Sequence, residues 1–408
     1  MVQRRDELET ALVQKFGSWE VTEERTLVPK RPNKTKGYEV GVPVIIHKTK
    51  TIQFNPGSRE HCTKVLMEAG WVPEKLTPSG KPQLDEAVLE TIKLPAAQLL
   101  IDYLIVQKRL GQLADGAKGW LRLVRNGKVH ASYNCTSGTV TFRSSHSNPN
   151  IAQVPKVQYG PSKELLRGVD GAWGYECREL FGVPRGWLLV GADMAGCQLR
   201  ALGHYAAYFD GGAYATAVTD GDVHMMHLDA CRPHVKTRDA MKTTIYAFIF
   251  GAMDGKLGST NGGSRQLGSK IRKALLSKVP GLGKADKALK MASKKGYIKA
   301  IDGRKVYTKQ ERLALNYALQ SFEAIVCKTW LVSFYDQMHA LGYGFGWDGD
   351  FVICGWVHDE LQVACRQGLE TQVGELLVKC AKAAGDPYKV KVKLDSSYKV
   401  GSNWAETH

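Results

Sequence analysis

LLVGAD, residues 188–193, is the stretch on which the fold depends. It is a short apolar run of the kind that forms a buried strand, and it ends at Asp193. The apolar spacing of an amphipathic helix follows it as far as Phe209. A second aspartate, Asp359, lies in WVHDE at 356–360, between two further apolar runs. The pattern predicts two rigid strand ends, each of which projects a carboxylate into a cleft.

Between these carboxylates lies RDAMKTTIYAFIFG, residues 238–251. Each step of four residues advances about 400° around a helix, so residues four apart drift slowly along one face. The residues of that face are Arg238, Lys242, Tyr246 and Phe250. The cations stand at the N-terminal end, where the helix dipole favours anions, and the two rings offer a stacking surface. The stripe predicts a triphosphate clamp, although an amphipathic helix with basic residues reaching into solvent shows the same pattern.

Asp193 and Asp359 suit metal-dependent nucleotidyl transfer. This chemistry uses divalent metals about 3.5–4 Å apart, so the carboxylates that hold them must converge from separate strands. A lone strand-terminal aspartate is more often a helix cap or a turn residue, and it is the combination with the cationic stripe that favours catalysis. Lys242 is the candidate that stabilises or protonates the departing pyrophosphate.

The composition limits the class of protein. The 408 residues, 43% of them apolar, can bury a sizeable core and predict two or more subdomains. The formal net charge of +16 implies a polyanionic partner, most simply nucleic acid. Nine cysteines, an odd number with no CxxC pair, indicate reduced thiols. The sequence has neither an apolar signal region nor a bilayer-spanning stretch, so it predicts a soluble cytoplasmic protein with no membrane partner.

The first third of the chain has a helical and basic pattern. Residues 19–51 are polar and basic with little periodicity, so they predict an exposed basic loop or insertion. Within it only a short strand is predicted, at 42–46. The segments with helical spacing are 4–16, 58–69, 85–92 and 97–111.

Asn126-Gly127 is the strongest hairpin signal in the chain. It separates short runs at 120–124 and 128–133, and it predicts that a β-rich region begins there.

Residues 222–317 alternate helical segments with glycine-rich turns. The lysine-rich part, 270–309, is either a solvated helical surface or a surface that faces DNA or a triphosphate. A long helix at 313–339 and a strand pair at 351–357 and 361–365 follow.

These segments together resemble family A DNA polymerases, the family of bacterial DNA polymerase I, and most closely the replicative polymerases of T-odd bacteriophages. The segment through Asp193 resembles motif A of that family, residues 238–251 resemble motif B, and VHDELQ at 357–362 resembles motif C. Further segments match the phage branch: FNPGSREH, EAGWVPEK, IVQKRLGQ, VTFRSSHSNPNIAQVP, GDVH, DGRKVY and Asn403-Trp404. The resemblance covers nearly the whole chain and is most specific from Trp120 onward.

The resemblance implies an α+β, right-hand polymerase fold with an antiparallel β palm and helical fingers and thumb. The implied boundaries are thumb 1–118, with the basic insertion at 19–51, palm 119–205 and 317–408, and fingers 206–316.

It also implies the site residues. Two Mg²⁺ ions, with Mn²⁺ as a substitute, would be held by Asp193, Asp359 and the Met194 carbonyl, with Glu360 nearby. The dNTP would contact His224, Arg238, Lys242, Tyr246, Phe250 and Gln198. A tyrosine in the position of Tyr246 goes with tolerance of dideoxynucleotides. The primer-template would contact Arg143, Asn316, Gln320 and His358, largely through minor-groove acceptors that all base pairs share.

Two positions depart from the family pattern. The family usually has a glutamate as the steric gate against the ribose 2′-hydroxyl, where this chain has Gln198, and a hydrogen-bonded tyrosine partner where it has Phe250. Because loss of the tyrosine alone would strand a buried carboxylate, the pair is interpreted as a compensated change. Sugar discrimination is expected to survive through side-chain bulk, and equal use of ribonucleotides and deoxynucleotides would contradict this.

The resemblance implies a DNA-directed DNA polymerase that extends a primer 3′ end in phage DNA replication, in a bacterial host cytoplasm. The chain starts within what would be the thumb, so proofreading would come from a separate 3′-5′ exonuclease polypeptide. The phage branch docks a thioredoxin processivity factor on a thumb insertion, but the insertion here is much shorter, which argues against that partner.

Three alternatives stay open at this point. The spacing of His224, His227, Cys231 and His234 is compatible with zinc. A single-subunit RNA polymerase would share the palm carboxylates and the cationic fingers helix. A primer-template-binding subunit that needs a partner for activity would keep the fold, but it would not need two mutually repelling aspartates.

Overall fold

The computed structural model describes residues 1–73, 76–77, 79–84, 86–89, 92–136 and 138–408. It divides into two compact units. The first consists of Met1–Val124 with Arg167–Trp173, and the second of Arg125–Leu166 with Gly174–His408. No helix in these ranges has the length and apolar character needed to cross a membrane. The division into thumb, palm and fingers stays a prediction.

The first unit is a small helical body with one β ribbon. Its helices are α1 Val2–Phe16, α2 Arg59–Glu68, α3 Glu86–Leu89 and α4 Pro95–Leu110, and its strands are β1 Ser18–Leu27 and β2 Val44–Gln53. A π-helical turn, Gly111–Asp115, extends α4, and a 3₁₀ turn follows at Trp120–Leu123. The core is formed by residues such as Leu12, Leu66 and Leu100, whose side chains have no exposed surface. The helices predicted at 4–16, 58–69 and 97–111 are confirmed. Of the helix predicted at 85–92, Asp85, Glu90 and Thr91 lie outside the described residues.

The predicted loop at 19–51 is wrong. β1 and β2 pair antiparallel from Ser18 opposite Gln53 to Leu27 opposite Val44, so ten-residue strands replace the short strand expected at 42–46. The ribbon is held by backbone bonds and polar cross-strand pairs, such as Lys50 Nζ to Glu23 Oε1 at 3.1 Å. Both faces of the ribbon are largely exposed, so the sequence lacks the alternation of apolar and polar residues that indicates a half-buried strand. Only the connecting residues 28–43 form the expected exposed basic segment.

The second unit is built around a four-stranded antiparallel sheet in the order β12-β13-β9-β14. Its strands are β9 Trp187–Met194, β12 Phe351–Val357, β13 Glu360–Arg366 and β14 Ser396–Gly401. The short strands before and between them are β3 Val124–Arg125, β4 Lys128–Val129, β5 Ser132–Asn134, β6 Ser145–Ser147, β7 Gln158–Tyr159, β8 Leu165–Leu166, β10 Tyr297–Lys299 and β11 Lys305–Tyr307. Asn126 and Gly127 have φ values of 51° and 72° and form the predicted turn between β3 and β4. The strand expected over 120–124 is wrong. β3 and β4 are each two residues long, and Trp120–Leu123 forms a 3₁₀ turn before β3.

The remaining helices belong to the second unit. They are α5 Gly174–Glu179, α6 Cys197–Asp210, α7 Ala213–Thr219, α8 Val223–Cys231, α9 Arg238–Ile249, α10 Asp254–Thr260, α11 Arg265–Lys278, α12 Leu282–Ser293, α13 Ala314–Ala340 and α14 Glu370–Ala383. Short 3₁₀ turns lie at Ile151–Gln153, Glu311–Leu313 and Asp386–Tyr388. The predicted long helix is confirmed as α13, and the predicted strand pair as β12 and β13.

α13 is the central helix of the second unit. It packs on α14 and α6, and α14 packs on β9 and β14. Trp330, Phe322 and Phe334 of α13 are completely buried, and the Trp330 indole donates a hydrogen bond to the Leu377 carbonyl at 2.8 Å. Burial of such large side chains on a 27-residue helix makes α13 a rigid support for whatever its polar residues hold.

Candidate active site

Asp193 and Asp359 meet at one end of the central sheet. Asp193 is the penultimate residue of β9, and Asp359 lies in the turn between β12 and β13. Register places Glu360 directly opposite Asp193, and the Met194 amide donates to the Asp359 carbonyl at 2.9 Å. His358 takes a φ of 57° in the same tight turn. The structure therefore brings together the two aspartates that the sequence placed on separate strand ends.

The two carboxylates repel each other in a partly enclosed cleft. Asp193 reaches solvent, but protein surrounds it on several sides, and this desolvation together with the charge of Glu360 raises its pKa to about 6. Burial and the charges of Glu323 and Asp193 raise the pKa of Asp359 further above its ordinary range. A divalent cation would relieve this crowding. Carboxylate oxygens are the ligands that Mg²⁺ prefers, and Mg²⁺ is usually held by one or two of them together with water and substrate phosphates.

Glu360 has its own partners. The Trp404 indole donates to its Oε1 at 2.5 Å, the Gln362 amide donates to the same oxygen at 2.8 Å, and His408 Nδ1 lies 2.9 Å from Oε2. Burial would raise the pKa of Glu360, but the bond and charge of His408, the charge of Arg178 and the Trp404 bond hold it below its ordinary value. With both oxygens engaged, Glu360 contributes negative charge beside Asp193.

The cationic stripe lies on the exposed face of α9. Thr237 caps the helix by accepting from the Ala240 amide at 3.2 Å, and the opposite face buries Met241 and Ile245 completely. Lys242 is exposed, and the rings of Tyr246 and Phe250 stack at 6.4 Å with an interplanar angle of 23°. The geometry matches the stripe predicted from the four-residue spacing.

Arg238 and His224 stand together at the start of α9 and α8. Asp222 accepts from Arg238 Nε at 2.8 Å and caps α8 through the His224 and Met225 amides. Partial burial and the charges of Arg238 and Lys242 lower the pKa of His224. A cluster of positive groups thus lines this corner.

Tyr246 connects α9 to the aspartates. Its pKa is raised by burial and, after that, by the charges of Asp359, Cys197 and Asp193. The face of α9 that carries Tyr246 therefore lies near the two carboxylates in the second unit.

The structure places a carboxylate beside Gln198, which the sequence interpretation of Gln198 and Phe250 did not predict. The Gln198 amide, on the first turn of α6, donates to the carboxylate of Glu323 on α13. Arg143 donates to the same carboxylate from Nε at 2.7 Å. Phe250 is 46% exposed and takes no part in this contact. Glu323 is a site residue that sequence reasoning missed. The sequence feature that could have identified it is an acid seven residues after Asn316, on the helical face that also carries Gln320.

The residues expected to contact the primer-template lie around this carboxylate. Gln320 Oε1 accepts from the Thr141 hydroxyl at 3.1 Å, and Asn316 donates to the Ile249 carbonyl at 3.3 Å. His358 lies farther along the same cleft, with its ring 6.1 Å from that of His146. Arg143 and Thr141 are therefore joined to α13 through Glu323 and Gln320, and Asn316 ties α13 to the end of α9.

Comparison with known proteins identifies the family. The family model described as DNA polymerase family A matches residues 42–406. The chain belongs to DNA polymerase family A. The DNA-directed DNA polymerases of Enterobacteria phage T3 and Escherichia phage T7 are each 36% identical to it, and each alignment covers 92% of this chain. The same alignments cover 55% of either phage protein, so the chain spans about half the length of these family A relatives.

The polymerase fold is confirmed by a solved structure. The POL domain of Pol1 from M. smegmatis, in complex with DNA primer-template and dNTP, matches with a TM-score of 0.74 at 20% identity. The match covers 99% of this chain and 65% of that one. The predicted α+β polymerase fold is the fold that family A membership requires.

The zinc alternative finds no support in this family A chain. His227 is completely buried, and its Nε2 lies 2.9 Å from the Tyr214 hydroxyl, so that nitrogen already has a partner. Among the residues that the structure describes, no group of three or more His, Cys, Asp or Glu side chains is placed to hold a metal. His224 instead faces Tyr246, with ring centroids 6.4 Å apart.

Proposed function

We propose that this protein is a DNA-directed DNA polymerase that extends a primer 3′ end with dNTPs by two-metal nucleotidyl transfer. The observation that carries the proposal is the convergence of Asp193 and Asp359 at one sheet end, in the cleft lined by the exposed face of α9. Membership of family A and the names of the phage relatives support the same chemistry.

Asp193 and Asp359 would hold two Mg²⁺ ions, or Mn²⁺ in their place, together with the Met194 carbonyl. When bound, such ions activate the attacking primer hydroxyl and neutralise charge on the phosphates. The role of the chain is to hold the two carboxylates close together, and bound cations would favour their ionised form. Glu360, tied to Trp404 and His408, would stiffen the turn that carries Asp359.

The triphosphate would bind along α9. Arg238 would exchange its ion pair with Asp222 for a phosphate, His224 would donate beside it, and Lys242 would stabilise or protonate the leaving pyrophosphate. Tyr246 and Phe250 would pack against the sugar and base, where a tyrosine favours tolerance of dideoxynucleotides.

The primer-template would lie against Arg143, Asn316, Gln320 and His358. Contacts to minor-groove acceptors check the geometry of a base pair without reading its identity. The net charge of +16 fits a polyanionic partner, and the solved POL domain was captured with DNA primer-template and dNTP. The likeness to the DNA-directed DNA polymerases of phages T3 and T7 supports a role in phage DNA replication in the host cytoplasm.

Primer extension on a defined template tests the proposal. We expect wild type to extend with dNTPs and Mg²⁺, Asp359→Asn to lose activity by at least ~10³-fold, and Lys242→Ala by about 10²-fold. Asp336→Asn and Lys379→Ala, which alter exposed residues of α13 and α14, are the matched controls. Parallel lanes with rNTPs separate this function from an RNA polymerase. Absence of extension by wild type that still binds primer-template would favour a binding subunit instead.

A further inference from the structure

Glu323 is a buried carboxylate that binds two residues from distant parts of the chain. The residue is 2% exposed. Its Oε1 accepts from Arg143 Nε at 2.7 Å and Nη2 at 2.5 Å, and its Oε2 accepts from the Gln198 amide. These partners lie 180 and 125 residues away in sequence. A buried carboxylate persists only where such donors replace its hydration, so these contacts hold the three side chains together.

The two partners belong to the two halves of the proposed site. Gln198 lies in the first turn of α6, shortly after the strand that carries Asp193, because Gly196, with a φ of 55°, allows the sharp turn between them. Arg143 belongs to a segment fixed to α13 by two other bonds. The Thr141 hydroxyl donates to Gln320 at 3.1 Å, and Lys328 Nζ donates to the Phe142 carbonyl at 2.8 Å. Glu323 is therefore the point where the gate residue and the primer-binding segment meet.

Glu323 also fixes which way the Gln198 amide faces. The amide nitrogen points at the carboxylate, and Gln198 Oε1 is buried with no hydrogen-bond partner among the described residues. A flipped amide would bring its oxygen against the Glu323 oxygens, two acceptors with no proton between them. One rotamer and one amide orientation are thus favoured.

Arg143 is oriented in the same way. Two of its nitrogens form a fork on one carboxylate oxygen, which leaves Nη1 as the part of the guanidinium directed elsewhere. Its side chain is 18% exposed, so a small part of it reaches solvent while the ion pair is buried.

We propose that Glu323 is a positioning residue for sugar selection: it holds Gln198 against the sugar of the incoming nucleotide and Arg143 against the primer end. This inference rests on the proposed polymerase function. At position 198, where the family usually carries a carboxylate, this chain has an amide. The carboxylate here belongs to Glu323 of α13, which contacts that amide. The gate then depends on the pair of residues rather than on the bulk of Gln198 alone.

An exchange of the two side chains tests the pairing. Gln198→Glu and Glu323→Gln are close to isosteric, so each alters charge and hydrogen bonding with little change in volume. Gln198→Glu alone sets two carboxylates in contact, and we expect kcat/KM for dNTP incorporation to fall about tenfold. Glu323→Gln frees Gln198 and Arg143, and we expect the ratio of rNTP to dNTP incorporation to rise about tenfold, with a higher KM for primer-template. The double variant re-forms one carboxylate and one amide. It should recover kcat/KM, the rNTP to dNTP ratio and the KM for primer-template to within about threefold of wild type.

Asp336→Asn is the matched control, because it removes one carboxylate from an exposed position on the same helix. It should leave all of these parameters unchanged. Should Glu323→Gln fold poorly, the comparison between Gln198→Glu and the double variant carries the test, since only the double variant restores the pair.

Two results would overturn the inference. The first is a Gln198→Glu variant with the kcat/KM of wild type. The second is a double variant whose losses are the product of the single losses, together with an rNTP to dNTP ratio that Glu323→Gln leaves unchanged. Either would leave Glu323 as a structural residue while wild type remained a polymerase. If wild type adds no dNTP to a primer, the proposed function itself fails and the inference falls with it.

Discussion

At the scale of single residues, the site separates groups by what surrounds them. Burial raises the pKa of Asp193 and of Asp359, and nearby acids add to the rise: Glu360 at Asp193, and Glu323 and Asp193 at Asp359. Glu360 is also buried, but His408 and Trp404 stabilise its charged form and lower its pKa. In the proposed function, the two aspartates would hold cations and Glu360 would stiffen the turn.

The same residues show how far a sequence can be interpreted. Asp193 and Asp359 were predictable because each follows its own apolar run within a few residues. Glu323 was not, because an isolated acid on a helix gives no hint that its partners lie 125 and 180 residues away. Short-range patterns identify the groups that define a reaction, and long-range pairing decides how they are held.

His204 gives a prediction about pH and stability. It is 4% exposed in α6, its Nδ1 accepts from the Lys391 amide at 3.1 Å, and the ring of Tyr208 packs beside it. Burial, and then the charge of Lys391, lower its pKa to about 4. In the unfolded chain His204 becomes protonated as the pH falls below 6.5, whereas in the folded chain it stays neutral until the pH approaches about 4. The stability that neutral His204 contributes is therefore complete above pH 6.5 and is lost as the pH falls towards 4.

The measurement is urea denaturation of wild type and His204→Asn from pH 7 to pH 4. The asparagine oxygen can still accept from Lys391 but does not titrate. Wild type should lose about 3 kcal/mol more of its free energy of unfolding than the variant over this range. His47→Asn is the control, because the His47 side chain on the ribbon is 61% exposed. The free energy of unfolding of this variant should depend on pH as that of wild type does. Identical pH profiles for wild type and His204→Asn would refute this assignment.

At the scale of elements, three strands of the sheet and the long helix were predictable, whereas β14 and the ribbon were not. α13, β12 and β13 bury apolar residues at regular spacing, which leaves a periodic signal in the sequence. β1 and β2 bury little and are stabilised by backbone pairing and exposed polar contacts, so they leave none. A strand that has no core to face looks like a loop in sequence.

The ribbon tip should be dispensable for stability. Replacing residues 28–43 with Asn-Gly would close the last pair, Leu27 with Val44, by a two-residue turn. Because the removed residues are almost all exposed, we expect the Tm to stay within about 2 °C of wild type. Trp19→Ala, at the base of the ribbon, should lower the Tm because Trp19 packs on His61 at 5.0 Å and beneath Lys64. A drop of many degrees on removal of the tip would show that it contributes to the core of the first unit.

At the scale of the whole molecule, charge and family agree. The net charge of +16 implied nucleic acid before any fold was known, and the match to DNA polymerase family A over residues 42–406 agrees with that expectation. The lysines of 270–309 are mostly exposed on α11 and α12, as both interpretations of that segment require. Exposure alone does not distinguish a solvated surface from one that faces DNA.

Salt dependence distinguishes them. If exposed basic residues neutralise about six phosphates, primer-template affinity should fall roughly 10³-fold between 50 and 200 mM KCl. Replacing Lys284, Lys287 and Lys294 by glutamine should flatten that slope if the lysine-rich segment contacts DNA. A slope identical to that of wild type would assign the segment to solvent. Fluorescence anisotropy of a labelled primer-template measures both.

The central claim is that Asp193, Asp359 and the α9 stripe form a template-directed polymerase site, and single-nucleotide addition on four templates tests it most directly. The templates differ only in the first unpaired base, and each is offered the four dNTPs one at a time with Mg²⁺, for wild type and Asp359→Asn. The account predicts that wild type adds only the complementary nucleotide on each template and that Asp359→Asn adds none. Addition that ignores the template, or addition that persists undiminished in Asp359→Asn, would contradict it.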